Sequence, residues 1–229
     1  MALDPKLFWN NKILEWEDGR YLVDKGSSAS VFERIANSAS SSLRHRMATT
    51  KKLLAPHIVG KKILEIGCGS GLLTRSIMEN KAGSYLGIDI AENAISRAIS
   101  RNSEYEWSDR VRFEVGDLDA VPINSYDIIV SLGLLDWLND DQLKKIFVIG
   151  RNAHFLHAIS EKRIHPHQWF HRAYVHLAYG YKTKGYIPRY YSTSEIQDLA
   201  VNYGEKEVFF YRESKLSFCT LATSLPITK

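Results

Sequence analysis

The sequence predicts an α/β chain built on a doubly wound, mostly parallel sheet. Three observations predict it. Short apolar runs alternate with stretches of helical periodicity from residue 61 to about 160. Such runs suit strands buried on both faces by crossover helices. A glycine-rich turn, "GCGSG" (67–71), stands between the first run and the first helical stretch. The tail then carries two strand-like runs around a short polar turn, the pattern of an antiparallel hairpin.

The elements follow in order. Residues 1–60 read as helices and loops, with Leu43, Met47, Leu53 and Leu54 near helical spacing. "KILEIG" (62–67) is a strand and "GLLTRSIMEN" (71–80) a helix. "SYLGID" (84–89) is a strand and "AENAISRAISRN" (91–102) a helix. "VRFEVG" (111–116) and "YDIIVSL" (126–132) are strands, "DDQLKKIFVI" (140–149) a helix and "AHFLHAIS" (153–160) a strand. Ser192 with Glu195 forms a capping box that opens a helix to about Tyr203. "EVFFYRESKLSFCTLAT" (207–223) supplies the hairpin.

The glycine turn falls where open α/β sheets bind ligands, at the carboxyl end of the first strand. Gly67 lets the chain turn sharply, Gly69 lets a ligand lie against the main chain, and Gly71 brings the next helix close to the sheet. The spacing is G-x-G-x-G, and Leu72 stands where the dinucleotide pattern needs its last glycine. Glu65 is an acid at an apolar strand end, which is costly unless it meets a cation or hydrogen-bond donors. It would repel a pyrophosphate and attract an amine. Asp89 ends the second strand and suits a pair of ribose hydroxyls. Asp117 ends the third strand, placed for an adenine amine, and the Leu118 N–H is placed for the ring.

"ILEIGCGSG", "YLGIDIA", "FEVGDLD" and "YDIIVSLGLLDWL" together resemble the ordered motifs of class I S-adenosylmethionine-dependent methyltransferases. The likeness spans about residues 60–160. It implies a Rossmann-like, seven-stranded sheet with a reversed final strand. It also implies S-adenosyl-L-methionine as cofactor, with Glu65, Gly67, Gly69 and Gly71 at its methionine portion and Asp89 at the ribose. Ile90, Asp117 and Leu118 would meet the adenine, and Ser131 would line the methionine side. Arg44 or Arg46 would pair with the cofactor carboxylate. Residues 1–60 are then a helical lid segment, and 61–229 the methyltransferase domain with a cap insert at 162–194. Trp9, Trp16, Tyr21 and Phe32 are its candidate lid aromatics.

For the acceptor, "SLGLLDW" stands where amino-methylating DNA enzymes carry [DNS]-P-P-[YFW], so no DNA partner is expected. The flanking segments are distantly similar to magnesium-protoporphyrin and ubiquinone-pathway O-methyltransferases. Where the former carry a histidine shortly after the fourth strand, Asp136 stands here. Asp136, His165 and His167 are the candidate bases. Asp140 and Asp141 read as a helix start rather than as metal ligands, and no metal is expected. The reading is methyl transfer to a hydroxyl or amine of a small molecule. Its rivals are RNA or protein methylation, and a non-catalytic methyltransferase-like binding subunit.

Composition bounds this further. At 45% hydrophobic and 24% charged residues, the 229-residue chain matches an average globular protein. Cys68 and Cys219 form no metal or redox spacing. No signal-peptide pattern or ~20-residue apolar span is seen, so a cytoplasmic location is expected. The net charge is +4, but residues 162–194 hold six Lys and Arg and no acid, with six of the twelve tyrosines. Arg172, Lys182, Lys184 and Arg189 there would favour an anionic or aromatic acceptor.

Overall fold

A computed structural model describes residues 3–21, 31–123, 125–163, 168, 172, 183 and 186–227, with the backbone alone at 20, 21 and 31–40. Seven strands form one sheet: β1 (Lys62–Ile66), β2 (Ser84–Asp89), β3 (Val111–Val115), β4 (Ile128–Leu132), β5 (His154–Ser160), β6 (Phe209–Tyr211) and β7 (Cys219–Thr223). Their order is β3-β2-β1-β4-β5-β7-β6. The first five are parallel, and β7 runs antiparallel to both β5 and β6. The chain enters at the middle of the sheet and winds out both ways from β1, which puts a crevice above the carboxyl ends of β1 and β4.

Residue alternation explains why both faces are covered. Leu64, Ile129, Phe155 and Ile159 point into one core, with Leu143, Ile146 and Phe147 of α5 (Asp140–Ile149) and Ile196 of α6 (Thr193–Gly204). Their neighbours Ile63, Ile128, Val130 and Leu156 point into the other. That second core takes Leu54 from α2 (Val31–Leu54) and Ile77 and Met78 from α3 (Thr74–Glu79). A strand buried on both sides reads as an unbroken apolar run, as β1 and β4 do. The exception is Glu65, which shares the Ile63 face by the period of two.

The expected cap at Ser192 is present, and the structure adds a second at Asn139. Asn139 opens α5 in a reciprocal capping box with Gln142, and Ser192 opens α6 with Glu195. The first crossover helix is shorter than the pattern predicts, starting at Thr74 instead of Gly71. Gly69 and Gly71 hold φ values of +53° and +69°, which no right-handed helix accommodates.

Residues 1–60 divide in two. α2 belongs to the body, because Leu54, Met47 and Leu53 pack on the sheet core. α1 (Pro5–Tyr21) lies across the crevice. Asn10 is bonded to Asn93 at the start of α4 (Glu92–Asn102), and Asp18 pairs with Arg97 at 2.7 Å. The insert's two ends are clasped together: Tyr191 N–H donates to Ser160 O at 2.8 Å, and Lys162 N–H to Tyr191 O at 2.7 Å. No described helix is long and apolar enough to cross a membrane.

Candidate cofactor and acceptor site

β1 ends into Gly67, Gly69 and Gly71, all with positive φ. At Gly71 a Cβ would stand 3.1 Å from the Phe113 ring, so the turn packs tightly on the sheet. Asp89, at the end of β2, braces this turn. Its Oδ2 accepts from Gly69 N–H and its Oδ1 from Ala91 N–H, each at 2.9 Å. The same carboxylate expected at a ribose is therefore also a structural clamp on the loop. Burial raises its pKa, against the backbone donors that favour the charged form.

Glu65 is 3% exposed and accepts from the Tyr85 hydroxyl at 2.6 Å. Burial pushes its pKa up to about 8; the Tyr85 hydroxyl and Lys51 oppose this, and Glu17 and Asp89 add to it. An acid with a raised folded pKa stabilises the fold while protonated. That contribution is complete below its ordinary value near 4.5 and is lost as pH rises through about 8. The stability advantage of Glu65→Gln over the wild type should therefore grow between pH 5 and pH 9. Urea melts of both proteins across that range test it, and a constant difference would mean that Glu65 stays in one state.

Sequence reasoning missed Glu17. It lies on α1 one turn after Ile13, is 5% exposed, and its Oε1 accepts from Ser70 N–H at 3.0 Å. A Cβ on Gly69 would stand only 2.1 Å from that oxygen. The space left by the glycine thus holds the lid's own carboxylate. The signal was an acid at i+4 from Ile13, on the apolar side of a helix where an aliphatic residue is expected.

Of the adenine-side residues, Leu118 is buried and Asp117 exposed, beside a cavity of about 210 Å³ that Asn139, Gln142 and Lys145 also line. Ile90 is half-buried next to Asp89. Ser131 is the residue expected at the methionine side. It lies inside β4, fully buried, with its hydroxyl 2.8 Å from His157 Nδ1 across the β4–β5 pair. Burial lowers the His157 pKa to about 3, so this imidazole is neutral and serves packing against Phe155 and Phe147.

On the acceptor side, Arg46 and Arg44 separate. Arg44 is exposed, whereas Arg46 is 7% exposed and its Nη1 lies 3.0 Å from the place of a Cβ on Gly133. Only Arg46 reaches the carboxyl end of β4. Asp136 follows in a short 3-10 turn, buried, accepting from Ser160 N–H at 2.9 Å and from the Ser160 hydroxyl at 2.7 Å. Burial raises its pKa to about 6, opposed by Ser160 and Arg46. His165 and His167 lie outside the described residues, as do Lys182 and Lys184. The two described cations of that set are engaged within the chain: Arg189 with Asp140 at 2.6 Å, and Arg172 over the Tyr190 ring. Among the lid aromatics, Trp9 packs edge-on against Trp137 and donates to the Tyr186 hydroxyl at 3.1 Å, beside Phe8. The side chains of Tyr21 and Phe32 lie outside the described residues.

Residues 63–149 match the family model described as a methyltransferase domain. These residues form a methyltransferase domain. The matched span covers β1 through α5 and so includes the glycine loop, Asp89, Asp117 and Asp136. The chain is 30% identical over 142 residues to a malonyl-[acyl-carrier protein] O-methyltransferase of Bacillus cereus, covering 60% of this chain and 48% of that protein. It is 27% identical over 128 residues to phosphoethanolamine N-methyltransferase 1 of Arabidopsis thaliana, covering 54% of this chain and 25% of that one. It therefore spans about half or less of these relatives. The crystal structure of magnesium protoporphyrin IX methyltransferase from Synechocystis with bound S-adenosylmethionine superposes with a TM-score of 0.68 over 97% of both chains, at 16% identity. The fold is shared across that whole length.

The methyltransferase domain's residues fit a cationic nucleoside ligand. Glu17 keeps one buried oxygen, Oε2, without a hydrogen-bond partner, and Glu65 and Asp89 face the same loop. Three acids in one cradle, with Glu65 mostly protonated near neutrality, suit an ammonium and a sulfonium better than a pyrophosphate.

Proposed function

We propose that this chain transfers the methyl group of S-adenosylmethionine to an oxygen or nitrogen of a small molecule. The observation that carries the reading is the loop of three positive-φ glycines held between two buried acids, Glu65 and Asp89, at adjacent strand ends. When bound, the cofactor supplies an electrophilic methyl on a sulfonium. Glu65 and the loop would hold its methionine end, Asp89 its ribose, and Ile90, Asp117 and Leu118 its adenine. Arg46, buried beside Gly133, would meet the ligand carboxylate or an acid on the acceptor. The protein's main contribution is alignment, an effect worth up to ~7–11 kcal/mol in well-oriented reactions. Of the two relatives above, one is an O-methyltransferase and the other an N-methyltransferase, which supports leaving both atoms open. Incubation with methyl-labelled cofactor and a fractionated metabolite extract tests the reading. Label appearing in a small-molecule fraction supports it; label in RNA or protein alone would replace it.

Asp136 is the base we assign. Its carboxyl, with a pKa of about 6, is tuned to accept a proton near neutrality. Asp136→Asn preserves the shape and can still accept from Ser160 N–H while donating to the hydroxyl. The variant should bind cofactor as the wild type does and turn over at least about tenfold more slowly, since a positioned base contributes ~10²–10⁴-fold. Single-turnover methylation with each protein measures this. Unchanged turnover would confine Asp136 to clamping the end of β5.

A further inference from the structure

We propose that Glu17 on the lid helix is a cofactor-binding residue, which brings a third acid to the positively charged end of S-adenosylmethionine. The proposal rests on the functional reading above and adds a residue to it from outside the matched domain.

Glu17 is the group the cradle leaves incomplete. One oxygen accepts the Ser70 N–H, and the other is buried with no hydrogen-bond partner. A buried carboxylate with an idle oxygen is costly on its own, because it has left water without replacing all its donors. A neighbouring charge deepens that cost. Asp89 lies close enough to repel it. The nearest counter-charge, Arg101, spends its Nη1 on the Ser70 carbonyl at 3.0 Å and hydroxyl at 2.7 Å. What this arrangement lacks is a donor with positive charge, placed over Gly69 and between three acids. An ammonium has that chemistry, and a sulfonium adds positive charge without a donor; the proposed cofactor carries both.

The lid's seating makes the contact available only when α1 is docked. Asn10 and Asp18 fix the helix to α4, and Trp9 and Phe8 fix it against Trp137 and Tyr186. Glu17 lies between these anchors. Cofactor binding and lid docking would then reinforce each other, because each supplies a partner that the other needs.

The test uses the full chain and isothermal calorimetry with S-adenosylmethionine and S-adenosylhomocysteine. Glu17→Gln should bind S-adenosylmethionine at least about tenfold more weakly, the usual scale for losing one charge-assisted contact. Without ligand, its melting temperature should equal or exceed that of the wild type, since a half-satisfied buried charge is gone. A merely structural role predicts the opposite, a lower melting temperature. Asp18→Asn serves as control: its amide oxygen still accepts from Arg97 and the Asn10 and Trp9 anchors keep α1 docked, so it removes a lid charge outside the cradle and should change affinity less than about threefold. Unchanged or tighter binding by Glu17→Gln overturns the proposal, the tighter case meaning that Glu17 only obstructs the site. A loss of affinity by Asp18→Asn equal to that of Glu17→Gln also overturns it, assigning the effect to the lid's charge or docking. Failure of the wild type to bind either compound would refute the functional reading itself, whereas wild-type binding with an indifferent Glu17→Gln refutes only the role of Glu17.

Discussion

Asp89→Asn should weaken S-adenosylmethionine binding by about 2–4 kcal/mol, roughly 30- to 1,000-fold, and should also destabilise the ligand-free protein by about 1–3 kcal/mol. Both effects come from one substitution because the carboxylate has two sets of partners. Its oxygens receive Gly69 N–H and Ala91 N–H at 2.9 Å. Asparagine replaces one of those acceptors with an NH₂ group, which would point a donor at a donor. One buried N–H is then left unpaired, and the loop loses the brace that holds Gly69 at its positive φ. The ribose contact is lost in addition. Calorimetry reads the first effect and urea denaturation the second. Unchanged affinity would remove Asp89 from the cofactor site, and unchanged stability would show that the loop keeps its shape without the brace.

The fold was readable because its signals are local and repeat. Each parallel strand is an apolar run, each crossover helix has its own period, and the capping box at Ser192 is spaced by three residues. The glycine loop and Asp89 were readable for the same reason: a strand end followed by alternate glycines has few other uses. What sequence could not supply was long-range pairing. Glu17 lies 53 residues before the Ser70 N–H that it accepts, and nothing local to α1 names that partner. The Ser131 partner is equally remote: its hydroxyl meets His157, 26 residues on, across the β4–β5 pair. The basic residues of the insert looked like a free cationic surface. Composition counts charges but not their partners, and Arg163 and Arg189 each have an acid within 2.8 Å. Arg46 and Arg44 are two residues apart on one helix, so they face different ways; only the packing of α2 decided which of them reached the site.

The clasp at the base of the insert gives the second large effect. Glu161, just past β5, is surrounded by donors. Arg163 reaches its Oε2 at 2.8 Å, Arg212 reaches both oxygens at 2.9 Å, and the Thr220 hydroxyl donates to the same carboxylate. Gln168, fully buried, donates to the Glu161 main-chain carbonyl and accepts from Arg163 N–H. Three segments thus meet on one side chain that is only 11% exposed, and a fourth on its main chain. Burial alone would raise the Glu161 pKa, but Arg212, Thr220 and Arg163 outweigh it and hold it at about 2. Truncation to alanine leaves two guanidinium groups facing each other without an anion. Breaking a buried pair in this way costs about 3–5 kcal/mol. Arg212 is 44% exposed and can recover some hydration, so Glu161→Ala should fall in the lower half of that range. Glu161→Gln keeps the shape and part of the hydrogen bonding, and should lose less. The sign with pH follows from the depressed pKa. The stabilisation is present above the ordinary glutamate value near 4.5 and is lost as pH falls toward 2, so the gap between wild type and Glu161→Ala should narrow in acid. Urea denaturation at pH 7 and at pH 3 measures both points. A loss below about 1 kcal/mol at pH 7 would mean that the arginines are as well solvated as an exposed pair. Cofactor affinity, taken well below the melting temperature, should change less than about threefold, because the clasp closes the base of the insert and the glycine loop is braced separately by Asp89.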